Sequence, residues 1–211
     1  MAIDKITGNP LYEKGKLVGY IGTTRDITEK KEYEIQLNKY INDLKAMNAK
    51  LEKMATEDVL TGVYNRRKFN DALSAIIEMK EFSISFSLIF FDIDNFKMIN
   101  DSYGHKVGDR VLRSVSQLVK NNIRASDKLF RWGGEEFVLI LLEANLRNAI
   151  NVAEKIRNLI QYHDFGIGHN ITISLGVGEY KAGESPDQMM RRVDEALRKA
   201  KSMGKNRVVT C

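Results

Sequence analysis

The chain has 211 residues, 43% of them hydrophobic and 29% charged, with a formal net charge of +5. Such values describe a soluble globular protein of one ordinary domain plus an appendage, and they exclude disordered, collagen-like and disulfide-scaffold chains. The lone cysteine, Cys211, permits no intrachain disulfide and fits a reducing, cytoplasmic setting; no apolar run is long enough for a membrane segment, and acids interspersed among the basic residues give no nucleic-acid-binding stripe.

Residues 1–27 read as turns around Ile6–Pro10 and Glu13–Lys16, with a strand over 17–24. Two short strands make only a hairpin, which is marginal in water by itself. The run from Gly15 to Lys30, a strand followed by Asp26-Ile-Thr-Glu29, resembles the end of a PAS sensor domain, and implies that 1–27 is the C-terminal fragment of one. Residues 28–57 contain no Gly or Pro and predict a long helix, with Thr28 a candidate cap. Leu37, Leu44 and Leu51 recur every seventh residue, the repeat of a coiled coil that joins two copies of the chain. Two seams share these leucines. One adds Glu34, Ile41, Asn48 and Ala55, the other Tyr33, Tyr40, Met47 and Met54.

Residues 58–211 have the size of a domain. Helical periodicity covers 65–80, 106–122, 145–162 and 186–203; strand patterns cover 84–92, 128–132, 137–142, 171–179 and 207–210. Leu88–Phe91 is apolar on both faces, as befits a central strand covered by helices. The order of elements predicts an α/β sandwich of the split βαβ kind.

Three segments carry chemistry. Asp92 and Asp94 lie two apart at the end of the central strand and share a face suited to a cation; the alternative is a plain strand end, with Asp94 or Asn95 capping the next helix. Gly133-Gly134 reads as the tip of a hairpin, followed by Glu135 and Glu136, whose mutual repulsion a divalent cation would relieve. Between Asn100 and Asp109 lies a polar loop containing His105; it supplies either ordinary turn and capping chemistry or groups that read a purine edge.

Taken together, Phe91–Asp109 and Gly133-Gly-Glu-Glu-Phe137 resemble the GGDEF family of diguanylate cyclases. So do Asp58–Arg67 (D-x-L-T-G-x-x-N-R-R), Ile171–Gly176 (T-I-S-x-G) and Asp194–Asn206, in the family's order. Glu135 stands where the family name has Asp, and Val193, Arg198 and Lys205 replace the more usual Ala, Tyr and Arg. The resemblance implies a fold like polymerase palms and nucleotidyl cyclases. It implies condensation of two GTP to cyclic di-GMP by a homodimer. Two Mg²⁺ or Mn²⁺ ions would lie on Asp92, the Ile93 carbonyl, Glu135 and Glu136, with Glu135 the general base. The backbone near Phe96, Lys97, the Gly133-Gly134 backbone, Lys201 and Lys205 would meet the phosphates; Asn100 and Asp109, with His105 nearby, would select guanine. Arg124-Ala-Ser-Asp127 is by itself a surface pair at a helix end; its offset from the hairpin matches the family's product-inhibition site, which implies that Arg124 and Asp127 bind cyclic di-GMP. The alternative is a module that binds GTP or cyclic di-GMP without catalysis; the intact Asp92, Lys97 and Gly133–Phe137 speak against it.

Overall fold

The computed structural model describes residues 4–78 and 85–211. The chain divides into two units, Met1–Lys53 and Met54–Cys211. In the first, β1 (Asp4–Glu13) and β2 (Lys16–Asp26) pair antiparallel. Lys14 and Gly15 join them with φ of 49° and 80°, the signs of a type I′ turn, which matches the strands' twist. The segment Ile6–Pro10, expected as a turn, instead lies inside β1, with Ile6 opposite Thr24 and Pro10 opposite Tyr20. A two-stranded ribbon has only edge strands, so Pro10 removes no interior ladder bond. Helix α1 follows at Thr28–Thr56. At its start Asp26 Oδ1 accepts from the Thr28 amide at 2.8 Å, and the hydrogen bonds with Thr28 hold this carboxyl below its ordinary range. Helix α1 has no buried residue, and Leu37, Leu44 and Leu51 are all exposed.

The second unit is built around β4 (Phe86–Ile93), buried at every position. Residue 84, the expected start of this strand, and 79–80, the expected end of the preceding helix, lie outside the described residues. The other strands are β3 (Tyr64–Asn65), β5 (Lys128–Gly133), β6 (Glu136–Leu142), β7 (Ile173–Glu179) and β8 (Val208–Thr210). Among the described residues they form one sheet in the order β3-β5-β6-β4-β7-β8. β4 runs antiparallel to β6 and β7, while the edge pairs β3–β5 and β7–β8 are parallel. This is the mixed α/β fold with a central sheet that the order of elements predicts.

Strand periodicity decides which helix covers which face. Ile89, Phe91 and Ile93 of β4, with Phe137, Leu139 and Leu141 of β6, pack against α4 (His105–Lys120) and α5 (Leu146–Gln161). Phe86, Leu88 and Phe90, with Val138 and Ile140, face α2 (Arg66–Glu78) and α6 (Pro186–Ser202). The helix starts are locally encoded. Asn145 caps α5 by accepting from the Asn148 amide, and Ser185 forms a capping box with Gln188 ahead of Pro186. Helix α6 lies almost on the sheet backbone. A Cβ at Gly176 would stand 2.2 Å from the Val193 carbonyl oxygen and 2.5 Å from the Leu197 amide nitrogen, so only glycine admits this approach.

Candidate active site

The site forms where β4 ends. Asp92 lies opposite Glu136 on β6 and Ser174 on β7, its side chain only 8% exposed. The close seat of α6 brings Lys201 to it, with Nζ 2.8 Å from Asp92 Oδ2. Burial raises the Asp92 pKa from 3.8 to about 6; Lys201 pulls it down, while the charges of Glu135 and Glu136 push it up. Glu136 is also raised, by burial first, with Asp194 and Glu135 adding to the effect and Lys201 and Arg66 opposing it. The three acids thus feel one another electrostatically, and a cation already stands among them in the form of the Lys201 ammonium.

The hairpin tip differs from expectation. Gly133 pairs with Glu136, so the two-residue turn is Gly134-Glu135, not Gly133-Gly134. Gly134 alone takes the positive φ, 50°, as a glycine-first turn requires. A register shift between Arg131 and Gly133 moves the turn by one residue and sets the half-buried Glu135 at its apex. Arg131 locks the tip: Nε and Nη2 donate to the Gly134 carbonyl at 3.0 and 2.7 Å, and Nη1 to Asp58 Oδ1 at 2.9 Å. Asp58 also accepts from the Thr61 amide and hydroxyl. Burial opposes ionisation of Asp58, but the bonds from Thr61 and Arg131 outweigh it and hold this carboxyl low. Asp58 and Arg131 stand 73 residues apart, so no local pattern pairs them and only the fold brings them into contact.

Beyond β4, the two aspartates diverge. Asp94 lies past the strand and is bonded to Thr172, Ser174 and the Asn206 amide, whereas Asp92 meets Lys201. Asn95 occupies the N-cap position of α3 (Phe96–Tyr103) with φ 59°, and its side chain caps nothing; its Oδ1 instead accepts from Lys205 Nζ. Phe96 is buried, while Lys97 one residue on is exposed at the start of α3. Asp109 is no cap either: α4 begins at His105, which places Asp109 in its second turn, and the cap residue is Gly104. His105 is exposed. Asn100 packs against α4 where a Cβ on Gly108 would fall 2.0 Å from its Oδ1, so Gly108 lets the helices carrying Asn100 and Asp109 converge. Sequence reasoning passed over Gly108; its place one residue before Asp109 was the available signal.

Arg124 and Asp127 form a turn through the main chain. Asp127 Oδ2 accepts from the Arg124 amide at 3.0 Å and the Asp127 amide donates to the Arg124 carbonyl at 3.1 Å. The carboxylate is buried and the Arg124 side chain exposed, beside a cavity of about 400 Å³ that Lys120, Lys128 and Tyr64 also line.

Among the described residues, no three His, Cys, Asp or Glu side chains converge on one metal position. Magnesium needs only one or two carboxylates, with the rest of its shell from carbonyls, water and phosphate. An all-oxygen donor set of mutually repelling acids, Asp92 at the end of β4 and Glu135 and Glu136 at the facing hairpin, fits such an ion.

This fold and site define a nucleotide-cyclase-type α/β domain, and residues 55–207 match the family model of the diguanylate cyclase GGDEF domain. The chain belongs to that family. It is 39% identical over 171 residues to the diguanylate cyclase DgcM of Escherichia coli K12, covering 80% of this chain and 42% of that protein. It is 34% identical over 192 residues to the response regulator PleD of Caulobacter vibrioides, covering 88% and 42%. The chain therefore spans less than half the length of these relatives. The coiled coil and GGDEF domain of DgcB from Caulobacter crescentus, solved in complex with c-di-GMP, superposes with a TM-score of 0.80 at 29% identity, covering 87% of this chain and 100% of that one. An active GGEEF domain of a diguanylate cyclase from Vibrio cholerae gives 0.65 at 37% identity, covering 69% and 96%. Among the described residues no helix is long and apolar enough to cross a membrane.

Proposed function

We propose that this chain is a diguanylate cyclase that condenses two GTP into cyclic di-GMP and two pyrophosphates. The observation that carries the reading is Asp92: a buried carboxylate at the end of the central strand, opposite Glu136 and ion-paired with Lys201, beside the start of α3. Asp92, Glu135, Glu136 and the Ile93 carbonyl would hold two Mg²⁺ or Mn²⁺ ions. Bound there, they would supply charge neutralisation for the triphosphate and acidify a ribose 3′-hydroxyl.

The chain's own groups bind and orient. Lys97, Lys201 and Lys205 offer point charges to phosphate, and the backbone at Phe96 and Gly133-Gly134 offers amides. Asn100 and Asp109 meet the guanine edge, with His105 at the rim. Each 3′-oxygen attacks the other nucleotide's α-phosphorus. The bond to the β-phosphate breaks, pyrophosphate leaves, and Glu135 takes the hydroxyl proton. One domain holds one GTP, so the reaction requires two copies face to face. Helix α1, whose leucines are all exposed, supports pairing as a parallel coiled coil, with the β1–β2 hairpin the C-terminal part of a PAS sensor domain. The two heptad seams offer two rotations of the paired domains, hence a switch. Arg124, with its exposed guanidinium, binds product with Asp127 and closes a feedback loop. GTP as substrate calls for a cytoplasmic setting.

The test is turnover. The purified chain with GTP and Mg²⁺ should yield cyclic di-GMP by chromatography, and folded Glu135→Gln should not. Near-normal product from that variant overturns the assignment. Nucleotide binding without turnover in the parent chain would favour the non-catalytic module.

A further inference from the structure

Asp94 is a buried carboxyl group that the proposed chemistry does not use. It is 5% exposed and, among the described residues, is ion-paired with no basic side chain. It accepts from Ser174 Oγ at 2.6 Å, Thr172 Oγ1 at 2.7 Å and the Asn206 amide at 3.1 Å, while its own amide donates to the Thr172 carbonyl at 2.9 Å. Two hydroxyls and one backbone amide thus converge on the two oxygens of a single short side chain. These donors come from the segment entering β7, from β7 itself, and from the strap between α6 and β8.

The strap is strained. Lys205 and Asn206 take φ of 62° and 46°, two consecutive non-glycine residues in the left-handed region. Such conformations persist only where the surroundings over-determine them. Asp94 bonds the Asn206 amide, and Arg157 Nη1 bonds Asn206 Oδ1 at 2.9 Å. With the strap so held, Lys205 Nζ reaches Asn95 Oδ1, at the residue that precedes α3.

We propose that Asp94 is a positioning residue that clamps the Lys205-Asn206 strap to the start of α3, so that Lys205, the Phe96 backbone and Lys97 address one triphosphate. This rests on the cyclase reading for the identity of the ligand. It also explains the two aspartates of Phe91–Lys97 separately: Asp92 faces the reaction, and Asp94 holds the phosphate-binding frame.

The test uses the full chain, with α,β-methylene GTP as a binding probe and GTP for turnover. In Asp94→Ala, the probe Kd and the GTP KM should rise roughly tenfold while kcat changes less, because binding and not chemistry is misaligned. Asp94→Asn keeps the shape but not the full acceptor capacity, and should show a smaller rise. Lys205→Ala should weaken the parent yet add little to Asp94→Ala, since a clamp and its cargo act as one unit. A purely structural role would lower Tm, leave Kd and KM unchanged in the folded fraction, and add fully with Lys205→Ala; either result overturns the clamp. If Asp94→Ala does not fold, Thr172→Val removes one donor and leaves the carboxylate. It should raise Kd about two- to threefold, about half a kcal/mol, and no rise overturns the clamp. A parent that binds the probe but makes no cyclic di-GMP refutes the cyclase reading alone. An active parent whose Asp94→Ala form binds normally refutes the clamp alone.

Discussion

Replacing Asp92 by Asn should make the metal-free domain more stable while abolishing turnover. Burial raises the Asp92 pKa from 3.8 to about 6, so at pH 7.5 the folded state carries an ionised group in a site that prefers the neutral form. At 1.36 kcal/mol per unit, the cost is about 3 kcal/mol. The side chain is only 8% exposed, so solvent screens little of it. The pull of Lys201 on Asp92 is already contained in that net shift, so the ion pair is not subtracted again. The net gain is about 3 kcal/mol, or a Tm higher by about 6–12 °C for a domain of this size. The pH dependence has a definite sign. A carboxyl whose folded pKa is raised lowers stability above that pKa, and the cost disappears as pH falls from about 6 toward 3.8. Calorimetry in EDTA should therefore show a wide gap between parent and Asp92→Asn at pH 7.5 that narrows by pH 4.5. Equal Tm values at pH 7.5, or a gap that ignores pH, would refute the reasoning.

Other perturbations separate packing from chemistry. Gly176→Ala drives a Cβ into the backbone of α6 and should destabilise the domain by about 1–3 kcal/mol, read by urea unfolding, while Lys201 retreats from Asp92 and activity falls with it. Gly108→Ala displaces the Asn100 carboxamide and should raise KM for GTP severalfold with little effect on kcat; an unchanged KM would mean that Asn100 does not contact guanine. Arg124→Ala should weaken product binding by about 1–3 kcal/mol and relieve feedback without altering initial rates; unchanged inhibition in a product titration would leave the Arg124–Asp127 turn without a ligand.

Much of this protein is written locally. The unbroken apolar runs 88–91 and 137–142 determine buried strands by themselves, because a short stretch apolar on both faces must be covered on both. Ser185-Pro186 with Gln188 starts a helix using only its own side chains. Asp92 and Glu136 were legible as candidate acids from their spacing at a strand end and after a turn, whereas Lys201, Asn100 and Asp109 became candidates only through the family resemblance. What the chain could not disclose locally is where long-range contacts override local preference. Gly133-Gly134 reads as a turn, yet the ladder between β5 and β6 shifts it to Gly134-Glu135 and sets the acid at the apex. Asp92 and Asp94 look equivalent two residues apart; only β7 and the strap, some eighty and more residues away, give Asp94 its three donors and leave Asp92 to Lys201. The reason is energetic. A buried carboxylate is tolerable only where the folded chain brings donors or a cation to it, and those partners are assembled by packing that no local window contains.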